Sequence, residues 1–231
     1  MKVPWLPKKK IAQAAAEVIA GYQTEVRRRV TPPIPVESII ERGLNLKLGF
    51  TDLRKKLKMR DVLGATYVNE ALIYIDQSLL ENHNEGRLYF TFAHEIGHWI
   101  LHRKFVHQAC RSRYGAAHIL CRIKDAKKPV EWQADYFASC LLMPEKLVKN
   151  AFLNIYGPKP LILYNLKSSF KGPICFDPCV ENWPMIAQKV KKEGRFCNVS
   201  KQALIIRLQE LGLVKNETGL QMSWCKSHAL T

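Results

Sequence analysis

A chain of 231 residues, 47% hydrophobic and 24% charged, has enough apolar material for a folded core and lacks the bias of a disordered sequence. No uncharged apolar run approaches the ~20 residues that a membrane span needs. Seven cysteines, odd in number and placed late in the chain, argue for a reducing cytoplasm over a secreted disulfide framework.

The net charge of +16 is concentrated at the front, where residues 1–60 hold 14 basic and 5 acidic side chains. Such a balance governs association and solubility more than fold, and KKK at 8–10 and RRR at 27–29 read as solvated faces in preference to a nucleic-acid patch. IAQAAAEVIA (11–20) has the apolar content of a signal-peptide core, but Gln13 and Glu17 interrupt it and no cleavage site follows, so a helix is expected. After the prolines at 32, 33 and 35, Val36, Ile39 and Ile40 mark a short helix stopped near Gly43, and a strand-like run follows. VLGATYV and ALIYID, separated by Asn69 and Glu70, read as the arms of a β-hairpin.

GRLYFTFAHEIGHWILHRKF (86–105) has helical periodicity, with Phe92, Ile96, Trp99 and Ile100 available for burial. Residues 103–130 are basic and irregular and read as a long loop or insertion. VEWQADYFASCLLM (130–143) is a second helix, brought to an end by Pro144. Residues 157–184, with five prolines, read as a linker or irregular lobe. IAQKVKKEG and VSKQALIIRLQELGLV then give two short helices, the second capped by Ser200 and closed at Gly212. The expected fold is α+β: a small, mainly antiparallel sheet beside two site-bearing helices in residues 1–156, the irregular segment 157–184, and a helical C-terminal lobe over 185–231.

The chemistry concentrates in HEIGH, residues 94–98. Residues four apart share one helix face, so His94 and His98 can aim ring nitrogens at one point about 2.0–2.1 Å from each. Glu95 stands beside the first of them, which is the HExxH arrangement: two metal-binding imidazoles and a carboxylate base. Water, with a pKa of about 15.7, is out of reach of a carboxylate at about 4.3, a mismatch of roughly 15 kcal/mol. Zinc brings the water to about 7 and leaves roughly 4 kcal/mol, which makes Glu95 a credible base.

A catalytic zinc takes three protein ligands and keeps one position open. His102 is eight residues from His94, about 12 Å along a helix, whereas donor atoms around one zinc lie ~3–3.5 Å apart, so His102 is expected to pack or hydrogen-bond beside the site. The pattern HExxHxxGxxH fails as well, since Leu101 and Lys104 occupy the Gly and His positions. EWQAD offers the better third ligand, Glu131. Asp135, one turn on, is placed to accept a hydrogen bond from the far nitrogen of a ligand imidazole. His107, Cys110, His118 and Cys121 form HxxC-x7-HxxC, a spacing that could hold a second, structural zinc, although unrelated His and Cys residues are the preferred reading.

These segments resemble the ImmA/IrrE family of zinc metallopeptidases over residues from about 35 to 213. RLYFTFAHEIGHWILH is similar to the family's F-T-x-A-H-E-x-G-H-x-x-L-H, EWQADYFASCLLMP to its E-x-x-A-[ND]-x-F-A-x-x-L-L-M-P, and NVSKQALIIRLQELGLV to its V-S-x-x-A-x-x-x-R-L-x-x-L-G-L. The resemblance implies zinc ligands His94, His98 and Glu131, with Glu95 as catalytic acid/base. It implies a protein substrate, commonly a helix-turn-helix repressor of a mobile element or a stress-response regulator. The chain departs from the family in its Cys/His-bearing stretch between the two motifs and in its Pro- and Cys-containing segment. The last two helices could form a DNA-binding helix-turn-helix carrying Lys201 and Arg207, but packing through Leu204, Ile205, Leu208 and Leu211 onto the peptidase lobe or substrate is favoured. The competing classes are a non-catalytic zinc-containing transcriptional regulator and a toxin/antitoxin-type binding protein.

Overall fold

The computed structural model describes residues 3–81, 84–110, 118–122, 128–163 and 182–217. They fall into two compact units, Met1–Leu142 and Met143–Thr231. In the first, α1 (Lys8–Val26) is followed by α2 (Val36–Ser38), which continues as a π turn over Ile39–Gly43, then β1 (Lys47–Thr51), α3 (Leu53–Leu57), β2 (Val62–Tyr67) and β3 (Leu72–Asp76). The unit closes with α4 (Ser78–Glu81), α5 (Glu85–Cys110), β4 (His118–Arg122) and α6 (Pro129–Leu142).

The four strands form a sheet in the order β1-β3-β2-β4. β2 pairs antiparallel with β3 and β4, whereas β1 runs parallel to β3, so the sheet is mixed. The expected hairpin is present, with Gly64 opposite Ile75 and Tyr67 opposite Leu72. A register shift between Val62 and Gly64 places a bulge in β2 where it pairs with β4. Bulges re-aim neighbouring side chains, and this one lies next to residues that reach the site.

α5 starts at Asn84, whose side-chain oxygen accepts from the Arg87 amide at 3.1 Å. The helix buries Phe92, Ala93 and Ile96, and each fully buried large apolar side chain contributes about 1.5–3 kcal/mol. α5 and α6 pack against each other, and α1 packs on α6 through an apolar face that includes Ile11 and Ala15. The contact between α5 and α6 is close because Gly97 faces Ala134: a Cβ on Gly97 would lie 3.1 Å from the Ala134 Cα and 3.2 Å from its carbonyl oxygen. Two small residues thus set how near the faces of HEIGH and EWQAD approach.

Residues 103–110 and 118–122 are not the loop that the sequence suggests. α5 runs unbroken to Cys110, and residues 118–122 pair as a strand, with Ile119 joining Val68 and Val106 in a small apolar cluster flanked by Trp99. The basic composition hid this, since Val106 and Ile119 are few among many charges.

The second unit contains α7 (Glu145–Tyr156), β5 (Leu161–Leu163), α8 (Asn182–Glu193), α9 (Lys201–Glu210) and β6 (Val214–Asn216). Pro144 is the residue before α7, where its missing N–H costs nothing. Ser200 caps α9 by accepting from the Ala203 amide at 3.0 Å, and Gly212 leaves the helix with φ 70°. The lobe is not wholly helical: β5 and β6 form a two-stranded parallel sheet, each strand too short to stand out in the sequence. Leu204, Ile205 and Leu208 are buried. Arg207 is buried too, donating from Nε to the Met143 carbonyl at 3.2 Å, so it is spent inside the unit and is not presented to a duplex.

No helix among the described residues is long and apolar enough to cross a membrane.

Candidate metal centre

The two small residues at the helix contact bring three buried side chains to one point. His94 Nε2 lies 2.9 Å from His98 Nε2 and 3.2 Å from Glu131 Oε2, and His98 Nε2 lies 3.6 Å from Glu131 Oε1. These spacings are those of ligand atoms arranged around one metal ion, and among the described residues His94, His98 and Glu131 form the group that could hold one. All three are at most 4% exposed.

The surrounding hydrogen bonds decide which ring nitrogens carry protons. His94 Nδ1 faces Asp135 Oδ1 at 2.8 Å, so its N–H donates to the carboxylate and the lone pair sits on Nε2. His98 Nδ1 faces His102 Nδ1 at 3.0 Å, and His102 Nε2 faces Gln133 Oε1 at 3.1 Å. His102 is fully buried, and burial followed by the charge of His98 lowers its pKa to about 3, so it is neutral near pH 7. His102 is therefore not in the converging group; it is hydrogen-bonded behind His98.

Two imidazole nitrogens and a carboxylate thus converge, and the His94 nitrogen presents its lone pair to the other two. Three acceptors this close repel one another unless a cation lies between them. Glu131 shows the pull of its two neighbours. Burial pushes its carboxyl up, but the adjacent His98 and His94 imidazoles outweigh that and hold it below the usual range. The donor set fits a divalent transition ion better than a proton, which can bridge only two of the three.

Glu95 is fully buried on the sheet side of α5. Its Oε2 accepts from Thr66 Oγ1 at 2.6 Å, while Oε1 is buried with no hydrogen-bond partner among the described residues. Its pKa is raised, first by desolvation and against the pull of His98 and His94. The carboxylate rests against bare backbone: a Cβ on Gly64 would stand 2.4 Å from Glu95 Oε1. Gly64 and Thr66 were not singled out from the sequence, yet a signal was there. A glycine inside a β-branched strand marks a close approach, and residues two apart share one face of a sheet.

Of the possible second metal group, the backbone of His107 and Cys110 belongs to α5 and that of His118 and Cys121 to β4. Their side chains lie outside the described residues.

The model of the Peptidase_M78 family, described as the IrrE N-terminal-like domain, matches residues 47–171, more than half of the chain. The match contains every converging residue named above. No curated protein matches the chain.

Proposed function

The chain belongs to the IrrE N-terminal-like peptidase family, and from that premise we propose that it is a zinc-dependent endopeptidase that cuts a specific regulatory protein. His94, His98 and Glu131 are the metal ligands, Glu95 is the catalytic acid/base, and Asp135 orients His94. The observation that carries this reading is the convergence of two imidazole nitrogens and one carboxylate, all buried, at the mutual distances of ligands around one ion.

When bound there, zinc supplies a Lewis acid that polarises a carbonyl and lowers the pKa of water from about 15.7 to about 7. The rest falls to the chain. Thr66 holds one oxygen of Glu95, leaving Oε1 to take the proton of the attacking water. Burial raises the Glu95 carboxyl toward the pKa of that water, which narrows a gap of roughly 4 kcal/mol. The same carboxyl then returns the proton to the leaving amine. The substrate lies extended along a sheet edge, where main-chain hydrogen bonds align it; among the described residues β4 stands at one end of the strand order.

The substrate class, a helix-turn-helix repressor of a mobile element or a stress-response regulator, follows from the family resemblance. A cytoplasmic setting suits the free thiols of Cys140 and Cys197. The test is Glu95→Gln. Incubation of the zinc-loaded protein with a cell lysate, followed by mapping of new protein N-termini, should yield chelator-sensitive cuts that disappear in the variant while bound zinc is retained. Cuts that persist in Glu95→Gln would overturn the reading, and the absence of any cut, with biological action retained in the variant, would favour a binding role.

A further inference from the structure

Behind His98 the hydrogen bonds continue to the chain's N-terminal segment. Gln133 Nε2 donates to the Pro4 carbonyl oxygen at 3.0 Å. A carbonyl can only accept, so the amide nitrogen of Gln133 must face Pro4 and its Oε1 must face His102. His102 Nε2 then has to be the N–H, because Oε1 can only accept. Within the neutral ring that leaves Nδ1 as an acceptor, and the His98 nitrogen 3.0 Å away must donate to it. His98 Nε2 is left with its lone pair directed at His94 Nε2 and Glu131. The alternative, an imidazolium at 102, would place an unpaired positive charge at a fully buried position whose two polar partners are an amide and another imidazole.

We propose that Pro4, Gln133 and His102 form a one-way hydrogen-bond relay that fixes the tautomer of His98 and so makes the N-terminal segment part of the metal centre. His102 and Gln133 are positioning residues that act through His98. The segment is held in place beside the relay, because Trp5 stacks on Trp132 with ring centroids 4.6 Å apart, and Trp132 is the neighbour of Gln133 on α6. Trp132 stacks in turn on Tyr136, whose ring also lies under the Lys8 ammonium. Pro4 and Trp5 are outside the residues 47–171 matched by the family model, so the relay ties this chain's own leading segment to the shared site.

The two imidazoles are consequently held by different chemistry. His94 leans on a carboxylate, which strengthens it as a donor, whereas His98 leans on a neutral ring. Adding no negative charge behind His98 keeps the bound ion more electrophilic than two carboxylate partners would.

The inference rests on the metal reading of His94, His98 and Glu131, and its tests separate the two. In the metal-free wild-type protein, long-range proton–nitrogen NMR should find His98 in the Nδ1–H form. A dominant Nε2–H form overturns the relay whatever the protein does with metal. By chelator competition, His102→Phe keeps a ring in the space but no acceptor, and should weaken zinc binding about 10–100-fold. His102→Gln, which can accept on one side and donate on the other, should restore most of that loss. A side chain there only to fill space predicts the reverse order, and that order would overturn the proposal. Deleting residues 1–5 frees the Gln133 amide from its acceptor-only partner and should weaken binding in the same direction; unchanged affinity removes the segment from the relay. Should the wild type bind no zinc, the metal reading fails while the tautomer measurement still decides the relay.

Discussion

Replacing Gly64 by alanine perturbs the general base without touching a metal ligand. The new Cβ would stand 2.4 Å from Glu95 Oε1, 2.8 Å from Cδ and 2.9 Å from Cγ, whereas ordinary contact begins at 3.4 Å. The carboxylate therefore has to retreat by about 1 Å. Thr66 grips the other oxygen and the residue is fully buried, so little room exists for that movement. Overpacking of this kind costs about 1–3 kcal/mol of stability, and a misplacement of about 1 Å costs roughly 100-fold in rate. Steady-state cleavage of a peptide taken from the mapped cut site should show that loss in kcat, urea unfolding should show the destabilisation, and chelator competition should show zinc affinity within about threefold of wild type. Turnover within a few-fold of wild type would refute the reasoning, because the base would then be indifferent to its place against β2.

Gly97→Val should drive α5 and α6 apart, since even a Cβ there meets the Ala134 backbone at 3.1 Å; zinc affinity should fall by about tenfold or more, measured by chelator competition, and unchanged affinity would mean that the helix contact does not set the ligand geometry. In the metal-free protein, His102 has its folded-state pKa depressed from 6.5 to about 3. Its contribution to stability is therefore complete above pH 6.5 and is lost as pH falls toward 3. Urea unfolding between pH 6 and 4 should show wild type losing about 1.4 kcal/mol per pH unit more than His102→Gln. The raised Glu95 carboxyl acts in the opposite direction but in both proteins alike; parallel curves would contradict the assignment.

What the sequence reveals and what it conceals follow from how local each signal is. HEIGH and EWQAD are periodic signals on single helices, so which residues face one another can be read from spacing of four. The exclusion of His102 from the converging group likewise needs only the rise of a helix. Gly64 and Thr66 sit far from Glu95 in sequence and meet it through strand packing, which spacing does not encode. The partner of Gln133 is more remote still, a main-chain carbonyl at Pro4 whose identity carries no side-chain signature. The strand at residues 118–122 was hidden by its basic surroundings, and β5 and β6, three residues each, are too short to show a period.

In the proposed enzyme a metal ion joins α5 to α6 through His94, His98 and Glu131. Native mass spectrometry of the purified protein should find one tightly held zinc, present in Glu95→Gln and lost in Glu131→Ala. Protein that holds no stoichiometric metal, or that keeps it undiminished after Glu131→Ala, would contradict the account.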